Sequence, residues 1–164
     1  MHTLLRLVSR LSHALNALAQ WALMLCGMGM VAVIGLQVFF RYVLNDSLFW
    51  SEELGRMLLV WLTFLGASVA YRRGAHIGVD ILSASLPRTP RRVVGVISHL
   101  VCLAFFALVA YHGFRFLDLL KFQSTTSLGV SRQVPFIMVP VGAALMFLHG
   151  LAFLLEDLIG GDDR

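Results

Sequence analysis

SLFWSEELGRMLLVWLTFLGASVAY, residues 47–71, decides how the chain folds. From Met57 to Tyr71 the stretch carries no charge, but that run is too short to cross a hydrocarbon core of about 30 Å, which takes about 20 apolar residues. The helix therefore has to begin near Ser47 or Leu48. That start brings Glu52, Glu53 and Arg56 to the membrane's edge, beside Trp50. Ionisable groups at such a depth are costly unless paired, which makes them candidates for function.

The rest of the chain agrees with a membrane setting. It has 164 residues, enough for one domain, and is 59% hydrophobic with only 13% charged residues and a mean hydropathy of +0.82, far from a soluble domain. The basic residues fall in short segments between apolar runs. They read as a topology signal, and no nucleic-acid partner is expected. Cys26 and Cys102 both lie inside apolar runs, which argues against a disulfide framework.

Four apolar segments give an all-α membrane protein in a single domain spanning residues 1–164. The expected spans are about 17–40, 48–71, 93–114 (with the helix continuing to about 123) and 135–155. Pro135 suits a helix start, and Pro140 predicts a kink near the first turns of the fourth span. Of the 13 basic residues, eight (Arg6, Arg10, Arg72, Arg73, Arg88, Arg91, Arg92 and Arg164) share one side with both termini and the 72–92 connection. Five (Arg41, Arg56, Arg115, Lys121 and Arg132) fall on the other. The positive-inside rule then makes both termini cytoplasmic. The amino-terminal apolar stretch is too long for a cleaved signal peptide.

Residues 3–18 repeat Leu4, Leu7, Leu11, Leu15 and Leu18 at helical spacing, with Arg6, Arg10, His13 and Asn16 between. The pattern fits an interfacial amphipathic helix and equally an extension of the first span. The 72–92 connection, with Gly74, Gly78, Pro87 and Pro90 among apolar residues, reads as a short amphipathic element on the inner surface. The chain carries no internal repeat of the kind that builds a self-contained transporter.

The charged constellation at the start of the second span admits two readings. Glu52 and Arg56 are four apart with the acid first, the favourable order on a helix, and Glu53 can also reach Arg56. Arg41 can join across the short 42–46 loop. One reading is a structural ion-pair network of Arg41, Glu52, Glu53 and Arg56 that locks the first hairpin. The other is a coupling-ion site, although none of these groups reaches mid-membrane. His99 and His149 each lie ~9 Å from a span end at 1.5 Å per residue, a depth that would suit two axial haem ligands. Hydrogen bonding between helices is the commoner role of such residues. Gly27 and Gly35 on the first span, and Gly66, Ala67 and Ala70 on the second, mark faces where backbones can approach closely.

Phe40-Arg41-Tyr42, Trp50-Ser51-Glu52-Glu53, Trp61-Leu62-Thr63-Phe64-Leu65-Gly66-Ala67 and His76-Ile77-Gly78-Val79-Asp80 together resemble the small membrane subunit of tripartite ATP-independent periplasmic (TRAP) transporters. The resemblance covers about residues 36–92. It implies a non-catalytic four-helix subunit, separate from and bound to a large multi-spanning permease in the bacterial inner membrane. That partner would carry the substrate and sodium sites and move as an elevator, while the small subunit enlarges its fixed scaffold. A periplasmic solute-binding protein would deliver an anionic organic solute. Trp50, Trp61, Gly66, Ala67, Ala70, His76 and Asp80 are then partner-interface candidates. Lys121 and Arg132, beyond the third span, are docking candidates for the binding protein. The residues offer no nucleophile–base pair, metal cluster or phosphate loop, so no enzyme, metal or cofactor is expected. The rival is a haem-bearing membrane anchor using His99 and His149.

Overall fold

The structure, a computed structural model, describes residues 2–73 and 88–159, with the side chains of residues 7–73 and 93–155. His76, Asp80 and the amphipathic element expected between residues 74 and 87 lie outside the described residues. Among the described residues five helices follow in chain order: α1 (His2–Val43), α2 (Phe49–Arg72), α3 (Arg88–Leu120), α4 (Gln133–Phe136) and α5 (Met138–Ile159). Four stretches of the described residues are long and apolar enough to cross a membrane: Leu7–Val43, Phe49–Arg72, Val93–Leu120 and Gln133–Leu155.

α1 is one continuous helix of 42 residues, ~63 Å long at 1.5 Å per residue. Residues 3–18 therefore extend the first span and do not form a separate interfacial helix. The cause is local: Ala14, Leu15, Ala17, Leu18 and Ala19 are good helix formers with no breaker among them. Ser12 and Ala19 are also buried, so this segment packs inward and is not laid on a surface. α1 stops before Asn45, which adopts the left-handed region (φ 52°) that asparagine tolerates better than most residues. The Asp46 N–H then bonds back to the Phe40 carbonyl at 3.1 Å.

α3 ends at Leu120, short of residue 123. The Gln123 N–H closes a turn onto the Leu120 carbonyl at 3.0 Å, and the chain enters a small antiparallel hairpin. Ser124 pairs with Ser131, Thr125 N–H donates to Val130 O at 2.8 Å and Arg132 N–H to Gln123 O at 2.9 Å. Gly129, at φ 64°, supplies the positive φ at its tip. The last span is broken at Ile137, between α4 and α5. Pro140 has no N–H to offer the carbonyl of Phe136, four residues earlier, and its ring crowds that carbonyl.

α2 lies between α1 and α5, α1 also reaches α5, and α3 packs on α5. Ala19, Leu65 and Val69 form one buried cluster with Met138 and Leu145 against it. Tyr71, Phe106 and Met146 form a second, in which the Tyr71 and Phe106 rings meet edge-on at 5.1 Å. The closest backbone approach is at Gly142, where a Cβ would stand 2.9 Å from Phe64 Cβ and 3.1 Å from its carbonyl oxygen. With no hydrophobic drive between helices in lipid, such backbone proximity is what holds α2 to α5.

Candidate functional site

Both ends of α2 carry polar groups that reach other elements. At its start, Glu53 turns toward the hairpin after α3. Its Oε1 accepts the N–H of Thr126 at 3.2 Å, and its Oε2 accepts those of Ser127 and Leu128, both at 2.9 Å. Three successive backbone donors thus converge on one carboxylate and fasten the hairpin tip to α2. Hydrogen bonds to an ionised acceptor are roughly twice as strong as neutral ones. A second link joins the same regions, as Trp61 Nε1–H donates to Val134 O at 3.1 Å.

Of the other members of the expected ion-pair network, Glu52 and Arg41 have contacts elsewhere, and Arg56 remains near enough to Glu53 for their charges to interact. Glu52, exposed, accepts from Gln37 Nε2 at 3.4 Å. The Arg41 guanidinium lies 6.0 Å from the Tyr42 ring. Arg56 is exposed on the outer face of α2. The structure does not gather the four residues into one network, because backbone N–H groups of the hairpin take the carboxylate that the arginines were expected to share.

At the end of α2 the polar groups are buried. Ser12 Oγ and His149 Nδ1 share a hydrogen bond of 2.8 Å, and both residues are fully buried. Arg72 Nη2 donates to His13 Nε2 at 2.8 Å and its guanidinium lies 5.0 Å from the Phe153 ring centre. Among the described residues, Asn16 Oδ1, Ser68 Oγ, Arg72 Nε and His149 Nε2 are buried without a hydrogen-bond partner. Asn16 follows Ser12 by one turn and Arg72 follows Ser68 by one turn, so these groups line the junction of α1, α2 and α5.

His99 hydrogen-bonds the Gly95 carbonyl of its own helix at 2.8 Å through Nδ1 and stands edge-on to Phe153. His149 is held by Ser12. Different protein groups engage the two imidazoles, and nothing in the arrangement supports haem ligation. Among the described residues no group of three His, Cys, Asp or Glu side chains could hold a metal ion.

The remaining candidates separate by face. Gly66 turns inward, with Leu23 of α1 at 3.7 Å from a Cβ built on it, whereas Ala67 and Ala70 are exposed and Trp50 and Trp61 are half-buried. Gly27 meets Leu62 at ordinary contact distance, and Gly35 meets nothing within 4 Å. Lys121 is exposed. Arg132, also exposed, is tied to Gln123 within the hairpin at 3.3 Å. The sequence reading missed the Ser12–His149 pair, the hairpin and the Gly142 crossing. Of these, only Gly142-Ala143-Ala144 carried a signal, as a run of small residues in an apolar span.

A family profile described as tripartite ATP-independent periplasmic transporters, DctQ component, matches residues 30–160. The chain belongs to that family. It is similar to the sialic acid TRAP transporter permease protein SiaT of Haemophilus influenzae, at 31% identity over 82% of this chain and 22% of the relative. It is also similar to the sialic acid TRAP transporter small permease protein SiaQ of Vibrio cholerae, at 27% identity over 74% of this chain and 70% of the relative. A third relative is the C4-dicarboxylate TRAP transporter small permease protein DctQ of Pseudomonas aeruginosa, at 31% over 70% and 57%. The chain thus spans about a fifth of the first relative's length and a little over half of the third's. All three are named as permease proteins, not enzymes, and the four apolar helices make this DctQ-family chain a multi-pass membrane protein.

Proposed function

We propose that this chain is the small permease subunit of a sodium-coupled, binding-protein-dependent TRAP transporter for an anionic organic solute, and that it braces the fixed scaffold of a large permease subunit. The observation that carries the reading is the free face of α2. Glu52, Arg56, Leu59, Thr63, Ala67 and Ala70 recur at spacings of three and four and are all exposed. They form a stripe that neither α1 nor α5 covers. Its small residues would let a partner helix approach closely, and its charges would sit at the membrane edge. The long match to a much larger permease chain supports a large partner. Relatives named for sialic acid and for C4-dicarboxylates support an acidic solute.

In this reading both termini are cytoplasmic in a bacterial inner membrane, as the Lys and Arg distribution indicates. The 123–132 hairpin then faces the periplasm, where Lys121 and Arg132 meet the solute-binding protein. Trp50, Trp61, His76 and Asp80 are further contact candidates for the large subunit. Glu53 acts indirectly, by fixing the hairpin that the binding protein would meet. The test is co-purification and uptake. The tagged chain should carry a multi-spanning permease out of the membrane in detergent, and replacing both Ala67 and Ala70 by Leu should reduce that yield. Solute uptake by liposomes holding this chain alone would overturn the bracing role.

A further inference from the structure

Arg72 is the last residue of α2, half-buried at the end of a span, where the headgroups of a bilayer lie. Its described contacts are unusual for a guanidinium. One N–H goes to the imidazole of His13 at 2.8 Å, and the ring of Phe153 lies 5.0 Å from its central carbon. Its Nε is buried and has no hydrogen-bond partner among the described residues. Neither described contact is an anion. A donated bond to His13 Nε2 places that ring's proton on Nδ1, so the imidazole adds a dipole and no negative charge. Arg10 lies three residues before His13, on the same flank of α1, and Arg73 follows Arg72; both are exposed. The seam between α1 and α2 therefore carries several cationic and donor groups at headgroup depth.

We propose that Arg72, with Arg10 and His13, binds the phosphodiester of an anionic phospholipid at the seam between α1 and α2. The planar guanidinium matches two phosphate oxygens, as a lysine ammonium cannot. Basic clefts between membrane helices are a general site for such headgroups. The exposed apolar side chains of α1 beyond it, Leu18 and Met24 among them, give acyl chains a surface to follow. The site depends only on the chain spanning a membrane. It stands or falls apart from any role in transport.

The test is native mass spectrometry of the full chain, with whatever partner it retains, exchanged into nanodiscs of phosphatidylcholine with or without phosphatidylglycerol. Phosphatidylglycerol should stay bound to the wild type and be retained about tenfold less by Arg72→Gln. Arg115→Gln removes the same charge from an exposed position on α3 and should change nothing; equal loss there would reveal diffuse attraction only and overturn the site. Arg72→Lys keeps the charge but loses the fork, and should fall between. If the glutamine variant does not fold, the lysine variant decides, and wild-type retention in it overturns the proposal. Displacement of the lipid by inorganic phosphate at equal concentration would reassign the site to a free anion. Loss of retention in Glu156→Gln with Asp157→Asn, matching that in Arg72→Gln, would make Arg72 an internal ion-pair partner instead.

Discussion

The two ends of α2 solve the same problem in opposite ways. Near Phe49 the helix places a carboxylate where three backbone donors of a distant hairpin meet it. Near Arg72 it places a guanidinium beside the imidazole of His13, and four buried polar atoms at this end find no partner among the described residues. The first end is closed, with donors and acceptor matched one to another. The second is open, with polar groups desolvated and unmatched. Leaving a buried donor or acceptor unpaired costs about 1–3 kcal/mol each. The fastening role of the first end follows from its matched donors, and the ligand proposed for the second from the guanidinium of Arg72, whose described contacts include no anion.

What holds both ends in register is the crossing between them. A Cβ on Gly142 would meet the Phe64 backbone as well as its side chain, so no rotamer change relieves it. Gly142→Leu should therefore have the largest effect, about 3 kcal/mol or more of lost stability, and should release the Glu53 end and the Arg72 end together. Thermal unfolding in detergent, followed with hydrogen exchange at both ends, measures it. Exchange that quickens at one end only would show that the two ends are independent.

Within the open end, His149 and Ser68 separate satisfied from unsatisfied burial. Both are fully buried, but His149 bonds Ser12, whereas Ser68 Oγ has no hydrogen-bond partner among the described residues. His149→Ala leaves a void and an orphaned hydroxyl and should cost about 2–3 kcal/mol. Ser68→Ala deletes a group that gains nothing from the fold and should be neutral or stabilising. A destabilised Ser68→Ala in the same thermal assay would mean that this end is closed after all.

At the Glu53 end the expected effect is local. Glu53→Gln keeps the size but replaces an ionised acceptor with two oxygens by a neutral amide with one. The N–H groups of Ser127 and Leu128 should exchange faster and the hairpin should become easier to cleave, while the helices keep their midpoint. Unchanged exchange at 126–128 would show that the carboxylate is incidental to the turn.

The four spans were legible in the sequence because span length and hydropathy are properties of single segments. The start of α2 could be placed within two residues from bilayer thickness alone. Partners were not legible. Glu53 meets residues more than seventy positions away through their backbone N–H groups, and backbone donors leave no trace in residue type. Proximity along the helix made Arg56 look like its natural partner, and nothing in the sequence announced a hairpin competing for it. The extension of α1 was ambiguous for a different reason. Its leucines repeat as an interfacial helix requires, and only the burial of Ser12 and Ala19 shows which face turns inward.

Arg41 gives the sharpest small effect. On the expectation of a network, its removal would strand Glu52 or Glu53 and cost several kcal/mol, as breaking a buried pair does. In the structure neither carboxylate depends on it: Gln37 contacts Glu52, the hairpin holds Glu53, and Arg41 lies over Tyr42 at the end of α1. Its charge also complements the carboxyl end of that helix, an effect worth a few tenths of a kcal/mol when exposed. Arg41→Ala should therefore change the chain's own stability by no more than about 0.5 kcal/mol, well below the cost of His149→Ala at the open end. The same variant can still lower the yield of a complex with a large permease, since its guanidinium is exposed at the end of α1. Measuring both quantities separates the roles. A fall in the chain's own unfolding midpoint comparable to that of His149→Ala would restore the four-residue network and close the contrast between the ends of α2.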